Sequence, residues 1–316
     1  MSELHKFLFD GLPVRGMIVR LTDSWQEVLA ARAKSGALAP PVQKMLGEMA
    51  AASTLMQANL KFDGALILQV HGDGPVKLAV AEASSELRFR VTAKVQGEVA
   101  PDASLGDLVN RHGDGRCAIT LDPKDRQPGQ QPYQGVVSLE SPEGGAVESV
   151  ATMLEQYMRQ SEQLETRIVL ASNDAAACGL LIQRLPIEGA GNLAGAQQAE
   201  IDEDAFNRIS HLASTLTAEE LLALDTPTIL HRLFWEEPLR LFEPQHPSFG
   251  CNCSAERVRN MLRNLGREEA ESILEERKDI EIGCDFCGAQ YHFDAVDVGE
   301  MFAPALSQPG ATPSVH

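Results

Sequence analysis

The sequence predicts an α+β protein: an N-terminal domain of mixed, largely antiparallel sheet with helices, then a helical linker region, then a small C-terminal domain built on cysteines. Three observations predict it. Between residues 14 and 186, stretches that alternate apolar and polar residues are joined by short turns and interleaved with stretches of helical period. From residue 204 to 235 the period is helical alone. Four of the six cysteines then fall between Cys251 and Cys287. The expected boundaries are 1–186 for the sheet domain, 187–243 for the linker region, 244–300 for the cysteine domain and 301–316 for a disordered Pro/Ser/Ala-rich tail.

Composition narrows the function classes. A chain of 316 residues, 44% of them hydrophobic, can bury at least one sizeable core. Its 45 acidic against 27 basic residues give a net charge of −18, which repels phosphate backbones and argues against nucleic acid as a ligand. No run approaches the roughly 20 apolar residues of a membrane span. The opening MSELHKFLFDGLPVRG carries Glu3 and Asp10 where a secretory signal would be apolar. The expectation is a cytoplasmic protein with no nucleic-acid or membrane partner, in a compartment that keeps thiols reduced. Six cysteines there point to metal binding or redox chemistry and not to a disulfide framework.

Within the sheet domain, Met17, Val19 and Leu21 alternate as in a half-buried strand. Pro40 and Pro41 open a helix with Val42, Met45, Leu46, Met49 and Met56 on one face. Leu66 to Val70 is a buried-strand run, and a turn at Asp73 returns the chain along Val76, Leu78 and Val80. The glycines flanking Asp73 belong to that turn and not to a phosphate cradle, because no Gly-x-x-x-x-Gly-Lys occurs and no helix pattern follows. Leu87, Phe89 and Val91 alternate with Arg88 and Arg90 to make a third strand; Ile119 to Leu121 and Tyr133 to Leu139 make two more. Val147, Val150, Ala151, Leu154, Tyr157 and Met158 form a second amphipathic helix. The methionine-bearing stripes admit two readings, an adaptable binding surface and ordinary core packing, and packing is the default.

The stretch IEGAGNLAGAQQAEIDE, 187–203, reads as a loop or linker. Phe206, Ile209, Leu212, Ala213 and Leu216 then share a helical face, and Thr217 with Glu220 makes a capping box ahead of Leu221, Leu222 and Leu224. A third short helix is expected over Thr228 to Trp235, ending before Pro238. These helices have no core of their own and must lie on the N-terminal sheet.

The informative segment runs from Gly250 to Asp294. It pairs Cys251-x-Cys253 with Cys284-x-x-Cys287 across a helical insert. Zinc takes four such thiolates in a tetrahedron at about 2.3 Å, so the C-terminal domain is expected to be a zinc-binding domain with Cys251, Cys253, Cys284 and Cys287 as ligands. Gly288 follows the last cysteine, where tight backbone geometry is needed, and Tyr291 and Phe293 alternate as a short strand. Ser254 can cap a helix carrying Val258, Met261, Leu262 and Leu265, closed by Gly266; Ala270, Ile273 and Leu274 mark a second helix, and Ile280 and Ile282 lead into the second cysteine pair. A module this small, with few large apolar groups, depends on its staple, and metal binding contributes about 10–16 kcal/mol in comparable peptides. His246 and His292 are rival ligands by proximity and rank behind the four cysteines.

A closed four-thiolate site offers no open position to a substrate, which disfavours hydrolytic zinc chemistry. By spacing alone a structural zinc is the default. A redox role is favoured by the thiolate state of zinc-bound cysteines, the species that oxidants attack. Arg257, Arg259 and Arg263 follow the first pair and either sustain thiolate character or form a solvated helix face. The Cα atoms of Cys-x-Cys lie at most about 7 Å apart, near the limit for a disulfide, so a bond there is strained and readily reduced again. The alternative is a thiol-disulfide oxidoreductase using Cys284 and Cys287. Such pairs stand at a helix N-terminus, whereas an Ile-rich strand precedes this one. Cys117 and Cys178 are isolated in expected sheet or its borders, where packing is their role.

Segments spread over nearly the whole chain resemble the 33 kDa chaperonin family, bacterial redox-regulated heat-shock holdases. They are LILQVHGDGPVKLAVAEA, YQGVVSLE, SEQLETR, TLTAEELLAL, HRLFWEEPLRLFEP, CNCSAERV and IEIGCDFCGAQYHFD. His71 departs mildly from the glutamine more often expected there. The resemblance implies zinc on Cys251, Cys253, Cys284 and Cys287 in a reduced, inactive state. On oxidation it implies pairing as Cys251–Cys253 and Cys284–Cys287 with release of zinc, where spacing alone leaves all three pairings open. It further implies a chaperone and not an enzyme: ATP-independent capture of unfolding client proteins under oxidative stress, a homodimer when oxidised, and transfer of clients to ATP-dependent chaperones.

Overall fold

The structure is a computed structural model that describes residues 1–34, 36–125, 131–140, 145, 147–186 and 193–303, with backbone alone over 193–203. It opens with the antiparallel pair β1 (Glu3–Phe9) and β2 (Val14–Leu21), then α1 (Asp23–Ala33). The long helix α2 (Pro40–Asn59) follows, its prolines in the first turn, where backbone N–H groups have no helical partner to lose. β3 (Gly64–His71), β4 (Val76–Ser84) and β5 (Arg88–Val95) form a meander, and α3 (Leu105–Val109) leads to β6 (Arg116–Pro123) and β7 (Tyr133–Ser138). After α4 (Val150–Ser161), β8 (Thr166–Ser172) and β9 (Ala177–Arg184) pair as a hairpin. Three helices follow, α5 (Leu193–Ser214), α6 (Ala218–Ala223) and α7 (Thr226–Phe234), and two short strands, β10 (Leu239–Leu241) and β11 (Ser248–Phe249). The chain continues through α8 (Ala255–Leu265), α9 (Arg267–Arg277), β12 (Ile280–Gly283), β13 (Gln290–Phe293) and α10 (Ala295–Met301).

The larger strands form a five-stranded sheet in the order β10-β1-β2-β9-β8 and a six-stranded sheet in the order β11-β5-β4-β3-β6-β7. Among their pairings only β11 on β5 is parallel, so the antiparallel expectation holds. By its contacts the chain divides into two units, Met1–Cys251 and Asn252–His316.

In the first unit α2 packs on strands of both sheets, and the main core gathers around it. Met45, Met49, Met56, Met153 and Met158 are all buried there, so the methionine stripes are core and not a binding surface. The opposite face of the five-stranded sheet is covered by α5, α6 and α7, whose Phe206, Ile209, Leu216, Leu221, Leu230 and Phe234 pack against Phe7, Phe9, Ile18, Leu180 and Ile182. That is the support these helices need. Arg20 of β2 adds a polar clasp, donating to the carbonyls of Leu221 (2.8 Å), Leu224 (2.7 Å) and Leu222 (3.1 Å).

Four expectations change. The 187–203 stretch is helical from Leu193 onward, because its alanines and glutamines are good helix formers; 187–192 lies outside the described residues. α7 begins at Thr226, two residues early, because Asp225 caps it by accepting the Thr228 N–H at 2.9 Å. Leu87 belongs to a turn with φ of 55°, and the strand starts at Arg88. The expected tail from 301 begins inside α10, which ends at Met301, and residues 304–316 lie outside the described residues.

Candidate metal centre

The second cysteine pair sits in a hairpin turn. β12 and β13 pair antiparallel with Ile280 opposite Phe293 and Gly283 opposite Gln290, and Cys284 to Ala289 close the loop between them. The Cys284 N–H donates to the Ala289 carbonyl and the Gly288 N–H to the Cys284 carbonyl, each at 2.8 Å. Gly288 has φ of 69°, a left-handed conformation that costs glycine little. The first pair lies between a strand end and a helix start. The Gly250 N–H donates to the Phe89 carbonyl at 3.1 Å, and Ser254 caps α8 by accepting the Arg257 N–H at 3.2 Å.

These supports bring together all four cysteines named from the sequence. The sulfurs of Cys251, Cys253, Cys284 and Cys287 lie within 4.8 Å of one another, all half-buried, with Cys253 and Cys287 3.3 Å apart. Four sulfurs about 2.3 Å from one ion stand roughly 3.8 Å apart, so the cluster has the size of a tetrahedral metal site. An all-sulfur donor set suits thiophilic metals and excludes the hard cations that want oxygen.

The neighbours sort differently from the sequence expectation. His246 Nδ1 lies 3.2 Å from the Ser2 carbonyl and His292 Nδ1 lies 3.4 Å from Glu281, so neither rival ligand joins the cluster. Arg259 pairs with Asp297 at 3.6 Å and lies over the Phe293 ring, while Arg263 donates to Asn260 (2.7 Å) and to the Met301 carbonyl (3.3 Å). Both brace the module. The guanidinium beside a thiol is instead that of Arg90, with Nη1 3.9 Å from Cys251 Sγ. Its distance along the chain hid it; only the pairing of β11 with β5 reveals it. The Tyr291 hydroxyl, hydrogen-bonded to Cys253 and near the other thiols, is pushed up to about 12. Cys117 on β6 and Cys178 on β9 are fully buried, and desolvation pushes their thiols up to about 12 and about 11, which leaves them inert.

The sequence pattern of the Hsp33 protein family matches residues 2–294. The chain belongs to the Hsp33 family. Among similar proteins, the 33 kDa chaperonin of Chromobacterium violaceum is 48% identical over 301 residues, covering 95% of this chain and 94% of the relative. That of Methylobacillus flagellatus is 46% identical over 310 residues, covering 98% and 97%. The crystal structure of a 33 kDa chaperonin from Thermotoga maritima, 21% identical, matches with a TM-score of 0.74 over 95% of this chain and 97% of its own, and so shares the Hsp33 fold. In this Hsp33 chain the Cys284–Cys287 pair occupies a strand–strand turn and not the helix N-terminus of a thiol-disulfide oxidoreductase. Among the described residues no helix is long and apolar enough to cross a membrane.

Proposed function

We propose that the chain is a redox-regulated, ATP-independent holdase chaperone, inactive while zinc is held by Cys251, Cys253, Cys284 and Cys287 and active once those thiols are oxidised. The observation that carries the reading is four thiols within 4.8 Å of one another beside a unit with only a small apolar core. Zinc, when bound, keeps the sulfurs as thiolates and cross-links the segment that carries them. Cys251 with Cys253, and Cys284 with Cys287, each give up two electrons to peroxide or hypochlorite and form one S–S bond. With peroxide, two thiolates and two protons yield the disulfide and two water molecules. Disulfide sulfurs are poor metal donors, so the ligand set is lost and the bound ion with it.

Without its staple the second unit unfolds, exposing Leu262, Ile280, Phe293 and Met301. The helices α5 to α7, whose apolar faces pack on the sheet, would supply further apolar surface on loosening. Exposed apolar area binds non-native proteins broadly because hydrophobic attraction has no direction. On this reading 1–186 is the client-binding and dimerising core, 187–243 a linker region and 244–300 the switch. The family resemblance adds a cytoplasmic setting, a homodimer when oxidised and onward transfer of clients to ATP-dependent chaperones.

The test follows zinc, free thiols and light scattering from an unfolding client before and after peroxide with mild heat. A single zinc ion per chain should leave as four thiols disappear, with Cys117 and Cys178 still reduced, and scattering should be suppressed only afterwards. Equal suppression in both states would sink the switch. A Cys253–Cys287 disulfide in the active form would overturn the pairing, and catalytic insulin reduction would favour the oxidoreductase.

A further inference from the structure

We propose that Arg90 is a positioning residue for the metal centre, fixing the sulfur of Cys251 from the six-stranded sheet; the inference rests on the metal-binding reading above. The register of the sheet builds the arrangement. Glu82 on β4 stands directly opposite Arg90 on β5, and its Oε2 accepts from Arg90 Nη2 at 2.6 Å and from Nε at 3.1 Å. Both side chains are only 17% exposed, so the fork is held on one side by a largely buried carboxylate. The remaining arm, Nη1, reaches to 3.9 Å from Cys251 Sγ, within range of an N–H···S bond.

β11 delivers the thiol to that arm. Ser248 stands opposite Arg88 and Phe249 opposite Phe89, and the Gly250 N–H continues the ladder to the Phe89 carbonyl. A Cβ on Gly250 would stand 2.5 Å from Arg88 Nε, so a larger residue there requires the exposed Arg88 side chain to move aside. The other sulfurs have local supports: the hairpin turn holds Cys284 and Cys287, and Cys253 adjoins the Ser254 cap of α8. Cys251 is placed by the short strand β11 and by Arg90. Partners that orient metal ligands typically contribute 10–100-fold to metal affinity when intact. Lysine cannot replace Arg90 here, since a single ammonium cannot hold Glu82 and reach the sulfur together.

The test measures zinc affinity, by competition with a chromophoric chelator, and the sulfur-to-metal absorption bands of the cobalt(II)-loaded full chain. Arg90→Lys, which keeps a cation for Glu82, should leave the circular dichroism of the first unit unchanged, weaken zinc binding at least about tenfold and shift the cobalt bands. Glu82→Gln should weaken binding less, because the fork is then loosened but not removed. Arg90→Lys with wild-type affinity and an unshifted cobalt spectrum overturns the proposal, and because it preserves the ion pair it serves even if Arg90→Met fails to fold. Unchanged variants beside a zinc-binding wild type refute the role of Arg90 alone, whereas a wild type that binds no metal refutes the metal reading itself and this inference with it.

Discussion

The two units of this chain are held together by different means. The first buries Trp25, Tyr157, Phe7, Phe9, Phe89 and Phe234 in two clusters that cover both faces of its five-stranded sheet. The second buries Leu262, Ala270, Ile280, Phe293, Val298 and Met301, and leaves Met261, Leu265 and Val296 50%, 52% and 68% exposed. Burial of a large apolar side chain contributes about 1.5–3 kcal/mol, so the first unit can stand on its core, whereas the second, on the proposed function, relies on a metal staple. Cys117 and Cys178 are buried in the thick core of the first unit, whereas Cys253, Cys284 and Cys287, half-buried, belong to the unit with the thin core.

The strongest way to break that contrast is to remove the staple. Chelation, or Cys284→Ser with Cys287→Ser, should abolish amide-exchange protection throughout α8, α9 and β12–β13 while leaving α2 and both large sheets protected. The free energy at stake is about 10–16 kcal/mol, more than the second core can replace. Exchange followed by mass spectrometry reads both units in one sample. Loss of protection in α2 at the same chelator concentration would show that the units do not stand apart in stability.

Much of this division was legible in the chain, and the exceptions have physical causes. The four thiols, the Ser254 and Thr217 caps and the α2 and α4 stripes all follow from local patterns of a few residues. Strand β9 was not legible as one, because ACGLLIQR is buried on both faces and so lacks alternation. Ala177 and Leu181 join the core around α2, while Cys178, Leu180 and Ile182 join the cluster under α5 to α7. β1 was hidden for the same reason, with Leu4 in one cluster and Phe7 and Phe9 in the other. Arg20 on the carbonyls of α6 and Arg90 beside Cys251 depend on contacts about 200 and 161 residues apart, which no local pattern encodes.

Burial stabilises the first unit, and it carries a cost where it covers a charge. Glu48 of α2 is pushed up to about 7 by desolvation, with Lys44 at 4.0 Å only partly opposing the shift. Its folded pKa thus lies above the ordinary value of 4.5, so the folded chain binds the extra proton. The resulting stabilisation is complete below pH 4.5 and is lost as pH rises through about 7. At pH 8 the buried carboxylate should cost about 3 kcal/mol relative to its protonated form. Glu48→Gln should therefore raise the denaturation midpoint of the first unit at pH 8 and change it little at pH 4.5. An equal shift at both pH values would mean that packing, and not charge, governs the site.

The smallest effect gives the sharpest comparison, because it sets the same chemistry in both units. Thr217 accepts the Glu220 N–H at 3.2 Å at the start of α6, and Ser254 accepts the Arg257 N–H at 3.2 Å at the start of α8. Replacing either residue by alanine removes one cap hydrogen bond, about 1 kcal/mol. In the first unit that loss comes off a margin set by burial, so Thr217→Ala should lower its melting temperature by about 2–4 °C and leave zinc affinity alone. In the second unit the proposed function makes folding and metal binding one equilibrium, in which 1 kcal/mol is a factor of about 5. Ser254→Ala should therefore appear as zinc binding weakened about fivefold, with the melting of the first unit unchanged. Chelator competition and thermal melting on both variants complete the cross. If Ser254→Ala binds zinc as the wild type does, the module folds before it binds, and the staple is not what holds it.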